Sequence, residues 1–112
     1  LLHLSGCMLP GGVQRHYDVR LEVPVGTLVD DGVRIMSRCG YSCRRVTDGR
    51  FVAMTPTPEG NLGDVAHDHI DFLACHRTYQ YGLVSVTRSA ALVLDSEGRV
   101  REVLTRFDSV GP

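Results

Sequence analysis

The sequence predicts an α+β domain, an antiparallel sheet of about five to six strands with one main helix packed on one face. Three observations predict it. Tyr17-Asp18-Val19-Arg20-Leu21-Glu22-Val23 alternates apolar and polar residues without a fault, the period of a half-buried strand. Val29, Val33 and Met36, flanked by Leu28 and Ile35, recur at the spacing of one helix face. The rest of the chain is short runs rich in Val, Leu, Phe and Tyr between turn residues, so sequential strands lie close enough to pair antiparallel.

Each element has its own signals. Pro24 ends the first strand, because it cannot donate to a ladder. The helix is expected over Leu28 to Cys39. Thr27 is placed to cap it, Asp30 stands three residues on, and Asp30 and Asp31 suit the positive end of its dipole. Gly32 costs it about 1 kcal/mol against Ala. Gly40 is placed to stop it in the left-handed conformation. Tyr41 to Val46 and Arg50 to Met54 read as two short strands around Thr47-Asp48-Gly49, since Asp-Gly favours a hairpin turn. Thr55 to Ala66, with two Pro and two Gly, reads as a loop. Ile70 to Tyr79, Leu83 to Leu94 and Arg99 to Phe107 complete the sheet, turning at Gln80-Tyr81-Gly82 and Asp95-Ser96-Glu97-Gly98.

At 112 residues the chain makes one domain, expected over residues 13–112. Its net charge of −1 gives no broad field towards nucleic acid or an anionic membrane. All 12 basic residues are Arg, scattered except for Arg44–Arg45, and they are not interleaved with aromatics in the manner of a nucleic-acid surface. No apolar run reaches membrane-spanning length; the longest, near Ala90–Leu94, is the length of a strand.

Leu4-Ser5-Gly6-Cys7 resembles the bacterial lipobox, in which small residues before a cysteine let a peptidase reach the backbone and the cysteine sulfur takes a diacylglyceryl group. The resemblance implies that residues 1–12 are a signal-peptide remnant and tether, that Cys7 is lipidated, and that the membrane is reached through this anchor alone. Three cysteines then remain, enough for one disulfide and one spare thiol. Cys43 and Cys75 are the expected pair, since each lies in a predicted strand and a bridge would tie the helix exit to the central sheet. Cys39 competes for it. Cys39-x-x-x-Cys43 has no second pair at ligand spacing, which argues against zinc.

His67, His69 and Asp71 form the one cluster with ligand chemistry, with Asp64 close in sequence. On a regular extended segment all three share a face and could hold zinc or copper; the plainer reading is a solvated entry into a strand. His76 alternates away from them. Cys75 and His76 are adjacent in a strand and face opposite ways, which argues against a Cys–His nucleophile pair. The serines lack the glycines of a nucleophile elbow, and the glycines lack a phosphate-loop frame. Tyr79 and Tyr81, near a turn, are a candidate contact surface.

With these elements in place, the order of a helix ending in Gly40-Tyr41-Ser42-Cys43, an Asp-Gly turn, the strand Ala74-Cys75-His76-Arg77 and the final hairpin Leu92 to Val100 resembles small bacterial envelope lipoproteins. More distantly, the layout is similar to the small lipoprotein of the β-barrel assembly machinery and to the β-lactamase-inhibitor-protein-like fold. The resemblance implies an extracytoplasmic, lipid-anchored protein of the bacterial cell envelope. It is expected to be a non-enzymatic structural or protein-interaction module without cofactor, meeting an envelope protein through an open sheet edge or the Thr55–Ala66 loop. The alternative is an envelope protein that binds metal or a small ligand through His67, His69 and Asp71.

Overall fold

The computed structural model describes residues 23–111. One helix, α1 (Val29–Arg38), precedes four strands: β1 (Ser42–Pro56), β2 (Leu62–Tyr81), β3 (Val84–Leu94) and β4 (Val100–Val110). The strands form one antiparallel sheet in the order β1-β2-β3-β4. The α+β class therefore holds, with four strands rather than the five to six expected among the described residues. Residues 1–12, with the lipobox and tether read there, and Tyr17–Glu22 of the first predicted strand lie outside the described residues.

Two expectations fail for one reason. Tyr41–Val46 and Arg50–Met54 are not a hairpin; they belong to the single strand β1, and Thr55–Ala66 is mostly the end of β1 and the start of β2. The actual turn lies farther on, at residues 57–61, where Thr57 N–H donates to Asn61 O at 2.8 Å and Gly60 N–H to Thr57 O at 2.9 Å. A type I′ turn needs positive φ at both central residues. Asp48 has φ 52°, but Gly49 is not among the positive-φ positions. Asp-Gly instead makes a β-bulge: the register shifts between Val46 and Gly49 and again between Gly49 and Phe51, so first β1 and then β2 carries an extra residue. Glycine is required at position 49 by packing. A Cβ there would collide with Val46 Cγ1 and lie 3.2 Å from Phe72 Cε1.

Helix α1 is set up by its ends. The residue before it, Leu28, is extended and gives no side-chain cap; Thr27 Oγ1, expected to cap, donates instead to Pro24 O at 2.7 Å. The C-terminus closes as the glycine predicts. Gly40, at φ 87°, lets Tyr41 N–H reach Met36 O at 3.0 Å and its own N–H reach Ser37 O at 3.0 Å. Gly32, which costs the helix propensity, faces the sheet. A Cβ there would lie 3.3 Å from Leu92 Cδ1, so its absence allows the helix to approach closely.

Both sheet faces are buried. Under the helix, Met36, Leu73, Cys75, Ala90, Leu92 and Val103 pack with Val23, and each large apolar side chain so buried contributes roughly 1.5–3 kcal/mol. On the opposite face Ala53 of β1 packs with Phe72, Ala91, Val93 and Leu104 of β4. The two edge strands are thus brought together, and Arg106 Nη1 of β4 donates to Val52 O of β1 at 3.1 Å. A flat sheet of this order could not place them in contact; the bulges bend the β1–β2 hairpin over.

Gly49→Ala should therefore destabilise the domain by about 1–3 kcal/mol, the usual effect of overpacking a filled site. Urea unfolding should show a lower midpoint with an unchanged slope; a midpoint equal to the parent's would remove the packing argument at this bulge.

Candidate functional site

The β1–β2 register places Cys43 directly opposite Cys75, with Cα atoms 4.0 Å apart, and the two are joined in a disulfide. The expected pair is the observed one. Cys75 is 2% exposed in the core under the helix. Its sulfur is committed to the bridge, so it offers no thiolate to the neighbouring His76, which the alternation of β2 turns to the opposite face. Cys39, at the helix C-terminus, does not compete for Cys75. It is itself disulfide-bonded, and no cysteine among the described residues is free, so the spare thiol expected here is absent. Cys7 lies outside the described residues.

The bulges also decide where the histidines go. His69 has φ 55° and stands across the ladder from Asp48, the other non-glycine residue with positive φ. Its Nδ1 donates to Asp48 Oδ1 at 2.9 Å, and Asp48 N–H donates to Asp71 Oδ1 at 2.9 Å. The hydrogen bond and charge of Asp48 raise the His69 pKa above its ordinary range. His67 pairs with Phe51 beyond the second register shift, so the even alternation that would align His67, His69 and Asp71 does not hold across this segment. Asp64 is engaged by Arg106 at 3.4 Å. Among the described residues no three His, Cys, Asp or Glu side chains form a group that could hold a metal ion.

Tyr79 belongs to a cluster that spacing alone did not show. Arg77 lies 4.9 Å from the Tyr79 ring centroid and Arg88, its cross-strand partner, 5.9 Å from it, while Tyr81 meets Tyr79 edge to face at 5.8 Å. Arg77 Nη1 also donates to Cys39 O at 2.7 Å, joining this cluster to the helix end. Nearby, Tyr41 is buried, and burial, with Tyr79 adding to it against the opposing Arg88 and Arg77, pushes its hydroxyl above the ordinary tyrosine range.

Past this cluster the sheet end is apolar and open. Tyr81 is 48% exposed, Leu83 80%, Phe107 45% and Val110 72%. The β3–β4 register brings Phe107 opposite Arg88 and Val110 opposite Ser85, so these residues share the end of the sheet that carries the β2–β3 turn. Phe107 lies on the Arg88 side of the sheet and Val110, three residues on, on the opposite side. On the face away from the helix, Arg44, Phe51, His76, Thr87 and Ser89 line a shallow groove of about 310 Å³. No helix among the described residues is long and apolar enough to cross a membrane.

No protein-family model, no curated protein and no solved structure matches the chain.

Two measurements follow from this geometry. The bridge closes a loop with a sequence separation of 32, so a Cys43→Ser, Cys75→Ala double variant should lose about 3–4 kcal/mol in urea unfolding; an unchanged midpoint would remove the bridge's stabilising role. For His69, the raised folded-state value means that the pair's contribution is fully present below the ordinary imidazole range and fades as pH rises through the folded value. An NMR titration should find His69 above free imidazole in the parent and returned to it in Asp48→Asn; equal midpoints in both would refute the pairing.

Proposed function

We propose that the chain is a non-enzymatic protein-interaction module that works outside the cytoplasm, in the bacterial cell envelope. The observation that carries the compartment is the Cys43–Cys75 bridge in a domain whose described cysteines are all disulfide-bonded, a pattern of oxidising compartments. The exposed Tyr81 and Leu83 at the β2–β3 turn, next to the Tyr79–Arg77 cluster, support the contact role, since aromatic side chains are enriched at protein interfaces. The Thr55–Ala66 segment is built into β1 and β2, so the sheet end takes its place as the proposed contact. The non-enzymatic reading is supported by the bridging of Cys75 beside His76 and by the pairing of His69 with Asp48.

The test combines localisation with thiol state. Cells producing the full-length protein are quenched in acid, alkylated without reduction and fractionated. The chain should be found outside the cytoplasm with Cys43 and Cys75 unlabelled; a cytoplasmic chain labelled at both would overturn the compartment. Metal analysis of the same purified protein decides between this reading and the alternative. Stoichiometric zinc or copper that disappears in a His67→Ala, His69→Ala variant would replace the interaction reading with a metal-binding one.

A further inference from the structure

We propose that the groove between α1 and the backbone leading into it is a binding site for a small phosphate monoester that carries an apolar group. The groove has a volume of about 510 Å³, within the range of small-molecule pockets. One wall is a stripe along α1. Leu28, Asp31, Arg34, Ile35 and Arg38 recur every three or four residues and so share a helix face. The other wall is the backbone around Gly26, together with Arg99, the residue before β4.

The walls are set before any ligand arrives. Gly26 N–H donates to Val100 O at 2.7 Å, Val100 N–H to Thr27 O at 2.8 Å and Val29 N–H to Gly98 O at 2.9 Å. These bonds tie the segment before the helix to the start of β4. The groove therefore holds its width, and a ligand orders little backbone on entering.

The charge of the groove selects the ligand. Three guanidiniums and one carboxylate line it. The carboxylate, Asp31, is taken by Arg34. Arg99 Nη1 donates to Gly26 O at 2.9 Å, which steadies the side chain and uses one of its five donors. The nearby Asp95 is occupied by the N–H groups of Glu97 and Arg99. Arg38 makes no hydrogen bond or ion pair among the described residues. Arg38 and Arg99 thus stand on opposite walls of one groove with no ion-paired carboxylate. A phosphate monoester carries a charge of about −1.5 to −2 at neutral pH, which matches the two, and the guanidinium fork fits phosphate oxygens in pairs. Leu28, 43% exposed, and Ile35 provide the apolar contact that inorganic phosphate leaves unused. The inference rests on neither the contact surface at the sheet end nor the compartment.

An NMR titration of the purified, oxidised full-length chain tests it, with phenyl phosphate, inorganic phosphate and benzyl alcohol as probes. Phenyl phosphate should bind saturably and shift amide signals of residues 24–38 and of Arg99. It should bind about tenfold more tightly than inorganic phosphate, through its buried ring, and benzyl alcohol should not saturate. Arg38→Gln should weaken phenyl phosphate about tenfold, the effect of one lost charge-assisted hydrogen bond, with a urea midpoint close to the parent's. Arg101→Gln removes the same charge from an exposed position outside the groove and should leave binding at the parent's level. A titration that does not saturate, shifts centred elsewhere, equal affinity for the two phosphates, parent-like binding by Arg38→Gln, or an equal loss in Arg101→Gln would each overturn the proposal. Flotation with phosphatidylcholine vesicles, with and without phosphatidic acid, then identifies the source of the ester. Flotation that needs phosphatidic acid and is lost in Arg38→Gln assigns it to a lipid headgroup; binding of phenyl phosphate without flotation assigns it to a soluble molecule.

Discussion

The structure depends on the bending of one long hairpin. β1 and β2 pair over almost their whole length, and a regular ladder of that length would leave the far half of β1 without a core. Two successive register shifts, centred on Gly49, change this. They turn the hairpin so that Ala53 of β1 packs against Leu104 of β4, and the face away from the helix gains a core of its own. Arg106 marks the closure. It donates to Val52 O at 3.1 Å, approaches Asp64 and is held from behind by Asp108, whose hydrogen bond and charge raise the guanidinium's already high pKa. Bending shelters the backbone of β1 without extra strands, which is how a four-stranded sheet manages two exposed edges.

The same bend organises the polar chemistry. A bulge leaves residues whose backbone groups have no ladder partner, and here side chains supply the partners. Asp71 accepts the N–H of Asp48, and Asp48 in turn accepts from His69. The residues that look like metal ligands in sequence are therefore engaged in holding an irregular crossing of two strands. The opposite hairpin uses the same chemistry with fewer residues. Asp95 Oδ1 accepts from Glu97 N–H at 2.8 Å and Arg99 N–H at 3.0 Å, which lowers its pKa and fixes the β3–β4 turn.

Covalent and packing constraints meet at the helix end. Met36, Cys39 and Tyr41 are buried within about one turn of the Gly40 cap, and the bridged Cys43 is the second residue of β1. The exit of the helix is thus fixed by a cap, by a disulfide and by the Arg77 bond to Cys39 O. The far end of the sheet has none of these constraints and carries the exposed Tyr81, Leu83, Phe107 and Val110. A rigid end and an open apolar end on the same strands suit a module that meets a partner at one end.

What the sequence determined by itself was local in its cause. The helix stripe, its Gly40 stop, the Val- and Leu-rich strands and the Asp95–Gly98 turn each depend on neighbours a few residues away. Cys43 and Cys75 were legible as a pair because each lay in an identifiable strand. Tertiary structure alone decided whether Asp48-Gly49 turned the chain or bulged it, since both conformations use the same residues and the choice belongs to the partner strand. Strand number followed from that choice, and so did the loss of alternation that parts His67 from His69 and Asp71. The apolar sheet end was likewise illegible. Tyr81 and Leu83 are distant in sequence from Phe107 and Val110, and only the pairing of β2, β3 and β4 brings them to the same end of the sheet.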